Sequence, residues 1–153
     1  MFDKKHTFAP EKKQFFKNNI RMKKLLALTM FALLSLTTQA QDILGKWKTE
    51  AGNANVEIYQ QGGKVNGKII WLEKGPDTKD SHNPDAKLRE RKLMGVNILS
   101  DLTKKGDKWE GGKIYDPKSG KTYKCSIWMD GDKLKVRGHL GIFHDTQTWK
   151  RVK

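Results

Sequence analysis

One cysteine, Cys125, occurs in 153 residues. An intramolecular disulfide is therefore excluded, and packing and hydrogen bonds alone must hold the fold. Long apolar runs are also absent. The longest, Leu25–Leu36, has 12 residues, against the about 20 a helix needs to span a bilayer. Acidic residues are few: 17 against 31 lysines and arginines, a formal net charge of +14. Catalytic and metal motifs are missing too. There is no Gly-x-Ser-x-Gly, no cysteine poised beside a histidine, and no His-x-His or HExxH spacing among His82, His139 and His144. These absences argue against a serine or cysteine hydrolase and against a resident metal, and no cofactor is expected.

What is present begins with residues 22–40, MKKLLALTMFALLSLTTQA. Lys23 and Lys24 precede the apolar run, and Thr38-Gln39-Ala40 supplies small residues at the two positions a signal peptidase inspects. This is the form of a secretory signal peptide that starts at an internal methionine. Residues 1–21 read as an upstream extension or as a long charged n-region, and both segments are set aside from the fold. Cleavage near Ala40 would leave residues 41–153 as a single domain in the periplasm or outside the cell. That part holds 23 basic and 15 acidic residues, a net charge of +8. Such a charge suits anionic partners, or is simply a solvated basic surface. Nucleic acid is not expected in that compartment. No cysteine follows the cleavage site, so no lipid anchor is expected. The mature chain reads as a soluble monomer without a transmembrane segment.

Across the mature chain the hydrophobic period is two, punctuated by glycine and asparagine. Strands are expected at Ile43–Thr49, Asn55–Gln60, Val65–Leu72, Lys92–Leu99, Trp109–Tyr115, Thr122–Met129, Lys133–Leu140 and Thr146–Val152. Val65, Ile69 and Trp71 should share a face. So should Tyr123, Cys125, Ile127 and Met129, which leaves Trp128 on the polar side. Residues 73–91, EKGPDTKDSHNPDAKLRER, break the rhythm as a long charged loop with one helical turn after Asn83-Pro84-Asp85. The expected class is all-β: an antiparallel eight-stranded up-and-down barrel, whose closure removes exposed sheet edges. A two-sheet sandwich is the competing arrangement.

Four segments carry a family resemblance. They are Gly45-Lys46-Trp47; Asn83-Pro84-Asp85 with Leu88 to Gly95; Gly111-Gly112-Lys113-Ile114-Tyr115-Asp116-Pro117 with Gly120 to Tyr123; and Leu134 to Gly138 with Thr148-Trp149-Lys150-Arg151. Together they resemble the exported bacterial domain of unknown function 2147 family, over essentially all of residues 42–152. The resemblance implies a small lipocalin-like, calycin-type barrel and no catalytic residues. Gly-x-Trp on the first strand with an arginine ending the last resembles the lipocalin closure. Trp47 and Arg151 would then form a structural cation–π pair.

Candidate functional residues follow from side-chain chemistry. The planar fork of arginine binds carboxylate or phosphate with two parallel hydrogen bonds. Arg89, Arg91 and Arg137 are therefore candidates for the acidic end of a ligand, with Tyr115, Asp116 and Tyr123 beside them at a barrel mouth. For Arg137 the alternative is an outer-face ion pair. Asp116 before Pro117 reads most simply as the cap of its own turn. Cys125 reads as a buried, inert thiol. Trp109 or Trp128, if partly exposed, would grip a sugar or a lipid. Two functions fit. One is a non-enzymatic binding protein that holds a small amphipathic or acidic ligand, fatty-acid-like or lipid-like, in the barrel mouth. The other is a cell-envelope interaction module that meets another protein through loop 73–91 and a basic surface.

Overall fold

A computed structural model describes residues 43–153. The expectations for residues 1–21 and 22–40, and the cleavage near Ala40, lie outside the described residues. Eight antiparallel strands run in sequence: β1 (Gly45–Lys48), β2 (Ala54–Gln61), β3 (Lys64–Leu72), β4 (Asn97–Lys105), β5 (Lys108–Asp116), β6 (Lys121–Asp130), β7 (Lys133–Leu140) and β8 (Phe143–Arg151). Each pairs with its neighbour, and β8 pairs back to β1, so the sheet closes into an up-and-down barrel. The sandwich alternative is excluded. Among the described residues no helix is long and apolar enough to cross a membrane.

The strands form because every second residue is apolar and finds the same interior. Ala54, Val56 and Ile58 of β2 point inward, as do Leu134 and Val136 of β7. Two-residue turns such as Gly62-Gly63 join the strands at one end. Its glycines sit at φ 58° and 76°, as a tight hairpin turn requires. Antiparallel order places the longer connections, residues 49–53, 73–96 and 117–120, at the other end together with Gly141-Ile142.

Closure is secured at the turn end. Trp47 stands opposite Arg151 in the β1–β8 register. The Arg151 guanidinium lies 4.2 Å from the centre of the indole ring and donates to the Leu44 carbonyl at 3.0 Å. The Trp47 indole N–H donates to the Ile43 carbonyl at 2.8 Å. Gly45 makes room for this arrangement. Its φ is +120°, and a Cβ there would sit 3.0 Å from an Arg151 Nη. The Gly-x-Trp…Arg pattern is thus one packed unit.

Three sequence expectations are corrected. The fourth strand is Asn97–Lys105, not Lys92–Leu99. Gly95 takes φ 82° and ends the extended run before it. Within β4, Asp101 takes φ 60°, its N–H held by the Asn66 side chain. That kink breaks the period, so Leu99 and Leu102, three apart, are both buried. Trp71 does not share the inward face of Val65 and Ile69. The β2–β3 register slips between the Val56↔Ile69 and Asn55↔Trp71 pairs, which turns the indole outward, 41% exposed. Trp109 is buried at 4%, so it has no open face to offer a ligand.

Candidate functional site

A cavity of about 880 Å³ opens at the end that carries the longer connections. That lies within the roughly 300–1,000 Å³ typical of small-molecule sites. Its depth is apolar, lined by Ile69, Ile98, Ile114, Val136 and Trp149 from strands on opposite sides of the barrel. Its rim is mixed in charge, with Lys74, Lys118, His82, Asp116 and Asp145, and includes the exposed apolar side chains Leu140 and Phe143. An apolar well under a rim that carries charge is the shape that accepts a chain with a polar head.

The long connection between β3 and β4 is fixed in place. Its anchor is Asp80, fully buried. The Asp80 carboxylate accepts from Tyr115 Oη at 2.5 Å, Asn83 Nδ2 at 2.8 Å, and Arg91 Nε and Nη2 at 2.9 and 2.8 Å. Burial alone would raise the Asp80 pKa, but the hydrogen bonds from Tyr115, Asn83 and Arg91 outweigh it and hold the carboxyl below its ordinary value. The same contact acts oppositely on its partner. Burial, then the Asp80 carboxylate, pushes the Tyr115 hydroxyl up to about 12. Around this hub Lys79 pairs with Glu90, and Lys92 with Asp77 at 2.5 Å. The expected helical turn after Asn83-Pro84-Asp85 is a 3₁₀ turn at Ala86–Leu88, capped by the Asp85 side chain. Gly120 of the β5–β6 turn touches the loop so closely that a Cβ would lie 1.9 Å from the His82 carbonyl oxygen. Residues 73–91 therefore use many of their charges on one another.

The candidate residues separate into two groups. Tyr115, Asp116 and Tyr123 line the cavity. Tyr123 is the most available of them: among the described residues its hydroxyl has no hydrogen-bond partner. Asp116 accepts from the Lys118 N–H at 3.0 Å and from Ser119 Oγ at 2.6 Å, so it caps its own turn. The three arginines do not line the cavity. Arg91 is committed to Asp80. Arg89 donates through Nε to the Asn83 carbonyl at 2.9 Å. Arg137 lies on the outer face, its Nε on Thr146 Oγ1 at 2.8 Å and its guanidinium 4.8 Å from the Trp128 ring centre. Strand alternation decides this, because Leu134 and Val136 occupy the interior and Arg137 must face out.

The lysines that do reach the rim are Lys74, Lys79 and Lys118; Lys79 is paired with Glu90, and Lys74 and Lys118 sit in turns and carried no sequence signal. Asp80 was one of several loop carboxylates, and only its partners across the fold single it out. His139 and His144 are opposite each other on β7 and β8, ring centres 6.3 Å apart. Among the described residues no group of three or more metal-ligating side chains occurs. Cys125 is buried against the core, and burial pushes its thiol up to about 12.

Comparison with known proteins supplies a frame for this geometry. A bacterial family described as "Uncharacterized protein conserved in bacteria (DUF2147)" matches residues 45–151. Protein HP1028 from the human pathogen Helicobacter pylori, described as belonging to the lipocalin family, superposes with a TM-score of 0.65 at 31% identity, covering 72% of this chain and 83% of that one. No curated protein matches the chain.

Proposed function

The chain belongs to the DUF2147 family, and from its lipocalin-like barrel we propose that it binds a small amphipathic molecule, of fatty-acid or lipid-fragment kind, in the open end. The observation that carries this reading is the cavity itself: a largely apolar well of about 880 Å³ whose charged groups lie toward its rim, with Gln147 the polar side chain beside Val136 and held by the Trp149 indole N–H. The apolar tail enters between Ile69, Ile98 and Val136. The polar head meets the free hydroxyl of Tyr123 and the ammonium groups of Lys118 and Lys74. These groups take the place of Arg89, Arg91 and Arg137 as partners for an acidic end. Binding without turnover is the reading we favour, because the side chains nearest to catalytic chemistry have other tasks. Asp116 caps a turn, and the Cys125 thiol is buried and protonated. The leader-like segment at residues 22–40 supports export to the periplasm or beyond.

A titration with a fluorescent fatty acid, dansylaminoundecanoic acid, tests the proposal. We expect saturable one-to-one binding with a rise in dansyl emission, weakened several-fold by Lys118→Glu and by Tyr123→Phe. No saturable binding of the probe, together with no adduct in native mass spectrometry of protein purified from cells, overturns it.

A further inference from the structure

We propose that the outer wall formed by β5 to β8, together with the apolar tip of the β7–β8 hairpin, docks on an anionic lipid bilayer. This goes beyond the cavity reading and does not depend on it.

The wall is built from rows of residues that stand opposite one another across the strands. Lys113 faces Lys124, Lys124 faces His139, and His139 faces His144, a continuous basic row over four strands. A second row runs from Lys108 through Trp128 to Lys135 and Thr148. A third links Lys133, Lys150 and Lys48. Along β7 the second and third rows are two residues and roughly 7 Å apart, the first and second four residues and roughly 13 Å apart, and neighbouring strands lie about 4.8 Å apart. Like charges directly opposite in a sheet are destabilising. The barrel nevertheless stacks them, and among the described residues Lys113, Lys124, Lys133 and Lys150 have no ion pair. Acidic relief is limited: Asp130 lies 3.7 Å from Lys135, Glu110 is 3.9 Å from Lys105, and the Glu50 carboxylate accepts from the Thr148 N–H at 3.1 Å at the end of the second row. A surface of this kind is complementary to an extended array of negative charge.

Within the wall the cations are held in place. The Trp128 ring lies between the Arg137 guanidinium at 4.8 Å and the Lys108 ammonium at 4.9 Å. Thr146 Oγ1 accepts from Arg137 Nε and Thr148 Oγ1 from Lys135 Nζ, both at 2.8 Å. The terminal nitrogens of Arg137 have no partner among the described residues. A planar fork with its stem fixed and both ends free suits a phosphodiester oxygen pair.

The hairpin tip decides for a bilayer over a soluble polyanion. Immediately beyond the His139–His144 pair, Leu140, Ile142 and Phe143 are 65, 90 and 71% exposed. These apolar side chains border the basic wall and have no use for an acidic polysaccharide. In an interfacial protein, apolar groups enter the acyl boundary while cations rest among the headgroups. One hairpin supplies both parts here.

Vesicle flotation tests the proposal, using wild type and variants that share the same N-terminus. The probes are vesicles of phosphatidylcholine alone and of phosphatidylcholine with phosphatidylglycerol at two to one. We expect binding to the anionic vesicles only, lost as salt is raised. Each basic residue near an anionic surface contributes about fivefold in partitioning, so the double variant Lys113→Gln, Lys124→Gln lowers it about 25-fold. Ile142→Ser lowers it about tenfold by removing an inserted side chain. All three positions are exposed, and an unchanged melting temperature certifies the variants. Equal binding to both vesicles, or none to either, overturns the proposal. So does a loss in the lysine variant with no effect of Ile142→Ser, because the hairpin tip then takes no part in the contact.

Discussion

Replacing Asp80 with asparagine keeps the shape of the side chain and removes its charge. Four hydrogen bonds converge on the native carboxylate, from Tyr115, Asn83 and twice from Arg91. The substitution leaves Arg91 without its counter-charge and sets an amide against donors. Breaking a buried ion pair from one side costs about 3–5 kcal/mol. Asp80 is fully buried, but the Arg91 side chain is 36% exposed and regains water when released. The expected cost is therefore at the lower end, about 3 kcal/mol. For a domain of this size that lowers the melting temperature by about 10–15 °C. Urea unfolding followed by tryptophan fluorescence at neutral pH reads the loss. The pH dependence gives an independent signature. The Asp80 pKa is lowered from 3.8 in the fold, so the unfolded chain takes up its proton first as the medium is acidified. The stability it contributes is present above 3.8 and is lost as pH falls below that value toward the folded pKa. The difference between wild type and Asp80→Asn should accordingly shrink in acid. A loss under about 1 kcal/mol at neutral pH, or a difference that stays constant into acid, refutes the hub.

Three further outcomes follow from the same geometry. Tyr115→Phe removes one donor to that carboxylate and should cost about 2 kcal/mol. Because the folded hydroxyl is raised from 10.0 to about 12, wild type should also lose stability as pH rises through that interval, and the phenylalanine variant should lack this component in alkaline unfolding scans. Trp47→Ala should destabilise by about 4 kcal/mol and Arg151→Ala by about 1 kcal/mol; an unchanged melting temperature for Trp47→Ala would show that the closing pair is not structural. Native Cys125 should resist Ellman's reagent at neutral pH and react at once in urea, whereas rapid labelling of the folded protein would contradict its burial.

How much of this was legible in the chain depended on the range of the signal. Period-two alternation with glycine turns is a local pattern, and it carried the all-β class and the number of strands. The Gly-x-Trp start and the terminal arginine lie at opposite ends of the domain, and it was the resemblance to the lipocalin closure that set Trp47 and Arg151 side by side. Loss of period hid the rest. Gly95 ended the extended run before β4, the kink at Asp101 broke the period within it, and the register slip between β2 and β3 turned Trp71 outward.

Side-chain destiny was hardest where the sequence offers two equal uses for one residue. An arginine in or near a strand is either ligand or lattice, and only the fold chose. It set Arg137 on the wall over Trp128 and bound Arg91 to a carboxylate eleven residues away. By itself the sequence determined that these residues alternate in antiparallel strands with one buried face, since apolar side chains at spacing two are buried together; it left a closed barrel and a two-sheet sandwich both open. Only the tertiary structure decided which end stays open, which loop carboxylate is buried, and where the surplus positive charge collects. Those depend on contacts between residues far apart in the chain, and no local spacing encodes the distance between them.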